Sequence, residues 1–322
     1  MTFSRIIGTG SYLPQKVLSN EELSKTVDTN DEWIRERTGI RQRHIVAEGQ
    51  YTSDLALSAS LLALEAAGLH ADELDLIVLA TSTPDVVFPS TASILQEKLK
   101  VRGCAAFDVQ AVCAGFAYAL SVADQYIKAG TCKNVLVIGA ETFSRILDWT
   151  DRTTCILFGD GAGAVVLTAS DTPGIHSTHI HADGRFQDLL HVPTGVSKQY
   201  NEMFKAQTAV QMNGQKVFKW AVKEMSALAI KTLKENNLSA DDVDWMVPHQ
   251  ANIRIIEAVA SKAGVPMERV VVTVHDHGNT SAASVPLALD TAVRDGRIKP
   301  GHTILLEAFG GGFTWGSALI TM

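Results

Sequence analysis

The sequence predicts an α/β protein made of two similar halves, related by a pseudo-twofold axis and stacked as α/β/α/β/α layers. Two observations predict this class. A helix-turn-strand segment occurs twice, and the predicted strands are short and wholly apolar, as expected where helices cover both faces of a sheet. We place the boundary near residues 172–174, which divides the chain into residues 1–172 and 173–322.

The first repeat pairs residues 69–78, LHADELDLIV, with residues 238–247, LSADDVDWMV. The segments agree at five of ten positions and are 169 residues apart. Each follows a predicted amphipathic helix, over 53–68 and 217–236, in which apolar residues recur at helical spacing. Each then enters a short apolar strand, so both halves share the order helix, turn, strand.

The second repeat pairs residues 134–139, NVLVIG, with residues 302–307, HTILLE, at an offset of 168. Each strand leads towards a glycine-rich hairpin, starting at Gly159 and Gly311. The same offset aligns Cys113 with Ser281, and both precede helices that begin with small residues. We expect these helix starts to face each other, so that residues of both halves meet in one site.

Composition excludes several classes. A chain of 322 residues with 46% hydrophobic content can bury a substantial core, and a net charge of -7 argues against a general nucleic-acid binder. The cysteines and histidines show no metal-ligand spacing, so we expect no metal site. Scattered cysteines without a disulfide pattern predict a reducing cytoplasm, and neither a signal peptide nor a membrane span is evident.

Three reactive residues lie in unusual settings: Cys113 in QAVCAGF, His249 in VPHQANIR and Asn279 in HGNTSAAS. A cysteine can hold an acyl group as a thioester, while a neutral histidine and an asparagine amide can donate hydrogen bonds to an enolate oxygen. No acid/base carboxylate completes the set. The pattern predicts an acyltransferase that forms carbon-carbon bonds.

Each residue also has a structural interpretation. Cys113 at a helix start should have its thiol pKa depressed from about 8.5 towards roughly 3.5 to 7.5, yet a cysteine between alanines is also a common core residue, as we interpret Cys104, Cys132 and Cys155. His249 follows a strand, where α/β sites collect, but buried histidines are often only hydrogen-bonded. Asn279 can cap the following helix as well as act in catalysis.

The glycine run 310–312 is either a plain hairpin turn or a place where the backbone approaches a ligand. In the second interpretation, a glycine N–H joins the Cys113 N–H in an oxyanion hole. We assign Gly311 to this role, although the sequence alone leaves all three glycines open.

At these residues the chain resembles the β-ketoacyl-[acyl-carrier-protein] synthase III family, the initiating condensing enzymes of bacterial type II fatty acid synthesis, in the thiolase superfamily. The resemblance runs nearly end to end. The segments that carry it are IIGTGSYLP at Ile6, DEWIRERTGIRQRHI at Asp31, AVCAGFAYAL at Ala111, FGDGAGAVVL at Phe158, VPHQANIRI at Val247, GNTSAASVPLAL at Gly278 and LLEAFGGGFTWGSAL at Leu305.

The resemblance implies a thiolase-like fold and a homodimer without a cofactor. Cys113 would take the acyl group from acyl-CoA, the first substrate, and condense it with malonyl-acyl carrier protein. His249 and Asn279 would stabilise the enolate formed on decarboxylation. It also implies CoA contacts from Trp33, Arg37, Thr38 and Arg152. Composition alone would describe DEWIRERTGI as a solvated surface helix.

Acyl carrier protein is acidic, so a protein of negative net charge needs a local basic patch to bind it. Lys216, Lys219 and Lys223 share a helical face, which composition alone describes as solvated. By resemblance, the docking residues are Lys219, Arg254 and Lys262. Ser261 stands where many family members carry another basic residue. The acyl pocket would be shaped by Phe88, Phe143, Phe158 and Leu190, with Phe143 favouring acetyl-CoA.

Three other functions remain open at the sequence level. A divergent relative could use the same three residues with a specialised primer, or pass the acyl group to another acceptor in secondary metabolism. A noncatalytic CoA-binding scaffold could keep the fold. A cysteine hydrolase would need His249 to act as a base with an orienting acid, for which only Asp276 lies near Asn279 in sequence.

Overall fold

The computed structural model describes residues 2–198 and 208–322. The described part of its first half contains seven strands and five α-helices. In chain order they are β1 (Phe3–Tyr12), β2 (Lys16–Ser19), α1 (Asn20–Leu23), α2 (Asp31–Thr38), β3 (Gln42–Ile45), α3 (Thr52–Ala67), β4 (Leu76–Ala80), α4 (Thr91–Lys98), β5 (Ala105–Val109), α5 (Gly115–Lys128), β6 (Asn134–Glu141) and β7 (Gly161–Ser170).

The second half continues with further strands and helices. They are β8 (Ile175–Ala182), β9 (Leu190–His191), β10 (Gln211–Met212), α6 (Gly214–Glu235), β11 (Trp245–Pro248), α7 (Ile253–Ala263), α8 (Val274–His277), α9 (Ser284–Arg294), β12 (Thr303–Gly310) and β13 (Thr314–Thr321). Single 3₁₀ turns at Val112–Ala114 and Ser281–Ala283 lead into α5 and α9.

Two mixed sheets organise the chain. One has the order β1-β7-β6-β4-β5 and the other the order β11-β12-β13-β8. In the first, β4 runs parallel to β5 and β6. In the second, β11 runs parallel to β12. Every strand of the first sheet comes from residues 3–170 and every strand of the second from residues 175–321. The proposed boundary near residue 172 remains a prediction.

Helices complete five layers. Helices α5 and α9 each contact strands of both sheets, so they form the middle layer. Helices α3 and α4 cover the outer face of the first sheet, while α6 packs on β12 and β13 and carries α7 beside it. The predicted α/β/α/β/α layering is confirmed.

The apolar strands are buried on both faces. In β4, Leu76 and Val78 pack in the core between the sheets, while Ile77 and Leu79 pack beneath α3. All four side chains are fully buried. A strand covered on both faces cannot alternate with polar residues, which explains why its sequence is a continuous apolar run.

Both repeats have the same offset of 169 residues, so the offset of 168 predicted for the second repeat is wrong by one residue. Leu76 pairs with Val135 and Trp245 pairs with Ile304, so both partners lie 169 residues apart. Consequently Asn134 corresponds to Thr303 rather than to His302. The turns before α5 and α9 show the same offset, because the corresponding residues Val112 and Ser281 both have positive φ, 47° and 50°. Cys113 therefore corresponds to Ala282, and not to Ser281.

Two further expectations needed correction. Strands β12 and β13 form a tight glycine hairpin, but residues 142–160 separate β6 from β7, so the first half has no equivalent turn. Helix α6 begins three residues before the predicted start, because the Asn213 side chain accepts the Lys216 N–H at 3.2 Å and caps the helix there.

Helix starts approach the sheets closely. A Cβ on Gly139 would lie 2.2 Å from the Ala282 carbonyl oxygen, and one on Gly115 would lie 3.4 Å from the Ala282 Cβ. The small residues read from the sequence therefore permit the contact between the two helix starts that the repeat predicted. No helix in the described ranges is long and apolar enough to span a membrane.

Candidate active site

Cys113 lies in the turn before α5 and is almost fully buried. The neighbouring hairpin holds this turn. A Cβ on Gly310 would be 2.6 Å from the Cys113 amide nitrogen, and the Thr314 hydroxyl donates to the Ala111 carbonyl at 2.7 Å. Val112 has φ of 47°, a conformation that costs a non-glycine residue on the order of 1–3 kcal/mol. The end of β12 thus fixes the position of the sulfur.

The surroundings of the thiol act against the low pKa that the sequence predicted. Burial is the main cause that raises the pKa of Cys113 to about 12, with Ser281 acting to lower it and the nearby Glu141 carboxylate to raise it. This direction is opposite to the depression expected at a helix start, because burial disfavours the charged thiolate, so a low thiol pKa stays a prediction.

His249 follows β11 and is also buried. Its backbone N–H donates to the Glu307 carbonyl at 2.7 Å, and its Nδ1 lies 2.5 Å from the Ser284 Oγ. Burial lowers the pKa of its imidazole to about 3. The ring is thus neutral around pH 7. With Nδ1 occupied by Ser284, only Nε2 remains to act on a ligand.

Asn279 both supports its turn and faces the site. Its Oδ1 accepts the Ser281 N–H at 2.9 Å, as in a helix cap. Its backbone N–H donates to the Leu157 carbonyl, and its own carbonyl accepts the Gly159 N–H. Since Oδ1 is engaged, the side-chain NH₂ is left to donate. The capping and catalytic interpretations are compatible.

The three residues line one cavity of about 130 Å³. Its wall is mostly apolar and is built from α6, the start of α7, the segment before β7 and the short strands β9 and β10. The other lining residues are Leu157, Phe158, Leu190, Met212, Gly214, Val217, Phe218, Ala221, Met225, Ala251, Asn252, Ile255 and Phe309. Such a wall excludes water from a bound thioester. A larger cleft of about 510 Å³, bordered by Lys16 and Trp149, does not include Cys113.

Trp33 and two arginines form a surface cluster. The Arg37 and Arg152 guanidinium carbons lie 4.4 and 5.2 Å from the centre of the Trp33 ring. Arg152 also donates to the Asp28 carbonyl at 2.8 Å. Asn252, which lines the cavity, donates to the Arg37 carbonyl and so joins this cluster to the site.

The comparisons agree with this geometry. Family models described as 3-oxoacyl-[acyl-carrier-protein] synthase III and its C-terminal part match residues 107–184 and 233–322. The β-ketoacyl-[acyl-carrier-protein] synthase III of Thioalkalivibrio sulfidiphilus is 60% identical over 320 residues, covering 99% of both chains. That of Xanthomonas campestris is 63% identical over 318 residues, covering 99% of this chain and 98% of the relative.

The chain belongs to the β-ketoacyl-[acyl-carrier-protein] synthase III family. It is accordingly an acyltransferase of fatty acid synthesis with the thiolase fold. The crystal structure of the Aquifex aeolicus 3-oxoacyl-[acyl-carrier-protein] synthase III is similar over 99% of this chain and all of its own, with 47% identity and a TM-score of 0.94. A priming β-ketosynthase of the R1128 polyketide pathway is also similar, with 39% identity and a TM-score of 0.95 over 99% and 96%.

The other predicted contacts have varied surroundings. Thr38 is buried, and its hydroxyl donates to the Ile34 carbonyl and accepts the Ile40 N–H, so it lies inside the protein near the Trp33 cluster. Lys219 and Arg254 are exposed on the adjoining helices α6 and α7, with Arg254 5.8 Å from the Phe218 ring. Lys262 is exposed in the last turn of α7.

The predicted acyl-pocket residues divide into two groups. Phe158 and Leu190 line the cavity, and Phe143 stacks behind Phe158 with ring centres 4.4 Å apart. Phe88 is 83% exposed and is not among the residues that line the cavity of this chain.

Several polar residues of the site were not found from sequence. Ser281, Ser284 and Glu141 are common residue types whose relation to Cys113 or His249 depends on contacts between distant segments. Arg43 is fully buried and donates to the Leu18 and Ile156 carbonyls. In the sequence, Arg43 stood out only as part of the segment DEWIRERTGIRQRHI. No local pattern indicated that it is buried.

Proposed function

We propose that the protein condenses a short acyl-CoA, acetyl-CoA in our proposal, with malonyl-acyl carrier protein. The products are 3-oxoacyl-acyl carrier protein, CoA and carbon dioxide. The observation that carries this proposal is the meeting of Cys113, His249 and Asn279 on one apolar cavity.

The first half-reaction acylates Cys113. Sγ attacks the thioester carbonyl of acyl-CoA, the bond from that carbon to the CoA sulfur breaks, and CoA leaves as a thiol with the proton that Cys113 loses. The N–H groups of Cys113 and Gly311 are the proposed oxyanion hole. In its support, Gly310 lies against the Cys113 amide, and Gly311 lies beside Val112 of the same turn.

The second half-reaction uses the two neutral donors. Loss of carbon dioxide from malonyl leaves an enolate, whose oxygen would accept hydrogen bonds from His249 Nε2 and the Asn279 amide. The enolate carbon then attacks the acyl-Cys113 carbonyl, the bond from that carbon to Sγ breaks, and the released Cys113 thiolate takes up one proton from solvent. Neutral donors suit this step, since they stabilise developing negative charge without protonating the carbanion.

The contacts with substrates follow the same proposal. Trp33, Arg37, Thr38 and Arg152 are the proposed CoA site, supported by the clustering of both guanidinium groups over the indole. Lys219, Arg254 and Lys262 are the proposed docking residues for acyl carrier protein, supported by their exposure on α6 and α7, which wall the cavity.

We also propose a homodimer in the cytoplasm. Val86, Val87 and Phe88 form an exposed apolar group, with Phe88 83% exposed, and β5 is an open edge of its sheet. A second copy would cover both. The four free cysteines agree with a reducing compartment.

Intact-protein mass measurement tests the reaction. We expect one acetyl increment after mixing with acetyl-CoA, its absence in Cys113→Ser, and its discharge by malonyl-acyl carrier protein. An increment that malonyl-acyl carrier protein cannot discharge would favour a relative of secondary metabolism, the second candidate suggested by the polyketide priming ketosynthase. No increment with any acyl-CoA would contradict both.

A further inference from the structure

A buried carboxylate of the first half holds a turn of the second half. Glu141 ends β6 and is fully buried. Its oxygens accept hydrogen bonds from the Thr83 hydroxyl at 2.6 Å, the Thr81 hydroxyl at 3.3 Å and the Ser82 N–H at 3.1 Å. They also accept from the hydroxyl of Ser281, in the turn before α9, at 3.1 Å. A hydrogen bond between side chains 140 residues apart therefore joins the two halves here.

The donors from the first half make Glu141 a fixed acceptor. The Thr83 hydroxyl accepts the Thr142 N–H at 2.9 Å, and the Thr81 hydroxyl accepts the Thr83 N–H at 3.0 Å. Because each of these oxygens already accepts a backbone N–H, its own proton is available to point at the carboxylate. The Ser281 hydroxyl thus meets a carboxylate that is already held in place by its own half of the chain.

Ser281 needs such a restraint because its backbone conformation is unfavourable. Its φ is 50°, in the left-handed region that a residue with a Cβ adopts only at a cost in free energy. Conformations of this kind persist where the surrounding structure holds them. The bond from the Ser281 hydroxyl to Glu141 is one such restraint, since it fixes the side chain of the strained residue itself.

The same turn determines which way the Asn279 amide faces. The Ser281 N–H donates to Asn279 Oδ1 at 2.9 Å. An asparagine amide has an acceptor at one end and a donor at the other, so this bond leaves the NH₂ to donate to a ligand. If Ser281 relaxed to negative φ, its N–H would turn away. The amide would then be free to rotate and present Oδ1, which repels an enolate oxygen.

We propose that Glu141 and Ser281 are positioning residues for Asn279. Glu141 holds the Ser281 hydroxyl, this bond stabilises the left-handed turn, and the turn holds the Asn279 amide with its NH₂ available to the enolate oxygen. Neither residue contacts substrate or exchanges a proton in this role. The inference rests on the proposed condensation, in which Asn279 acts on the malonyl group. Loss of either residue should therefore slow discharge of acetyl-Cys113 much more than its formation.

Two single-turnover measurements on the full chain separate these steps. Rapid quenching and intact mass follow acetylation of Cys113 by acetyl-CoA. Protein acetylated in advance by long incubation is then mixed with malonyl-acyl carrier protein, and loss of the acetyl increment is followed in the same way. Parent protein that takes up no acetyl group, or cannot pass it on, contradicts the proposed function itself, and the inference falls with it. A parent that does both leaves the variants to test the positioning role alone.

We expect Ser281→Ala and Glu141→Gln to discharge at least about tenfold more slowly than the parent, after correction for any change in acylation. Loss of one donor at such a site typically costs about 100- to 1,000-fold, and here the donor is misdirected rather than removed. In Glu141→Gln an NH₂ replaces one carboxylate oxygen. Since both oxygens accept hydrogen bonds, this NH₂ faces a donor in either orientation of the amide.

A double-variant cycle tests whether Ser281 acts through Asn279. If it does, adding Ser281→Ala to Asn279→Ala should slow discharge no further, because the amide that Ser281 orients is already gone. A general structural defect would instead add its own loss to that of Asn279→Ala. The cycle uses the same single-turnover discharge measurement.

Ser60→Ala and Asp290→Asn are the matched controls. Ser60 is a fully buried serine on α3 whose hydroxyl donates to the Ala56 carbonyl of its own helix. Asp290 is a fully buried carboxylate on α9 that accepts from Thr9 and Arg294. We expect both controls to keep the parent ratio of discharge rate to acylation rate, even where they lower the unfolding temperature.

The inference is overturned if Ser281→Ala or a folded Glu141→Gln keeps the parent rate of discharge. Acylation that slows as much as discharge, or losses that add in the double variant, would also overturn it. The same holds if the controls lose discharge to the same extent. If Glu141→Gln does not fold, Ser281→Ala and the cycle decide the result.

Discussion

The contact between His249 Nδ1 and Ser284 Oγ determines what the imidazole offers to a ligand. The Gln250 N–H also points at this Oγ, at 3.4 Å, which leaves the serine proton free to be donated to Nδ1. Nε2 then carries the ring proton and faces the cavity as a donor. The proposed condensation uses this tautomer, so Ser284 is a positioning residue for it.

Ser284→Ala should therefore slow discharge of acetyl-Cys113 by malonyl-acyl carrier protein by tenfold or more, since loss of one such donor typically costs about 100- to 1,000-fold and the tautomer is only partly lost. Acylation by acetyl-CoA should be nearly unchanged. Single-turnover measurement of both half-reactions checks this. Equal slowing of both would show that Ser284 acts only through stability.

Buried histidines should also make stability depend on pH. Burial lowers the pKa of His277 to about 4 and that of His249 to about 3, from 6.5 in the unfolded chain. Between pH 6.5 and these lower values the unfolded chain binds more protons than the folded chain does. The contribution of the two histidines to the free energy of unfolding therefore falls as pH drops from about 6.5 towards 4. Urea unfolding should show His277→Gln losing less stability than the parent between pH 7.5 and 5. Equal losses would contradict this assignment.

Among the elements, the β12-β13 hairpin has the closest relation to the nucleophile. Its glycines allow it to contact the Cys113 turn, and a bond from Thr314 holds the two together. The hairpin belongs to the second half and the turn to the first. This contact is how one half positions the reactive residue of the other.

Gly310→Ala tests that contact. The added Cβ would be 2.6 Å from the Cys113 nitrogen and 3.0 Å from the Ala114 nitrogen, so the backbone must move. Overpacking of this kind typically costs about 1–3 kcal/mol. We expect at least a tenfold loss of acylation. Gly184→Ala, whose Cβ meets nothing within 4 Å, is the control and should keep the parent rate. Retained acylation in Gly310→Ala would show that the turn can shift without consequence.

For the whole molecule, the proposed homodimer predicts that Phe88→Ser weakens association, because it removes a large apolar side chain that is 83% exposed in the single chain. Sedimentation over a concentration series should show dissociation at higher concentration than in the parent. Leu61→Ser, which changes an apolar residue 53% exposed on α3, should have no such effect. A parent that is monomeric throughout would contradict the dimer.

Much of the fold was readable because it depends on local patterns. Buried strands must be apolar and helices must present an apolar face, so the repeated order of elements and the layered class followed from periodicity. The one-residue error in the second repeat arose because NVLVIG and HTILLE are both apolar enough to align in two registers. Only the pairing of Leu76 with Val135 and of Trp245 with Ile304 distinguished them.

The sequence by itself determined the family and the layered class, and it indicated three candidate reactive residues, since each has a distinctive local setting. Only the tertiary structure decided how those residues are tuned. The pKa of Cys113 follows from burial and from Glu141, and the orientation of His249 from Ser284. These effects arise between residues far apart in the chain, where electrostatics and desolvation depend on the packed environment and leave no pattern along the sequence.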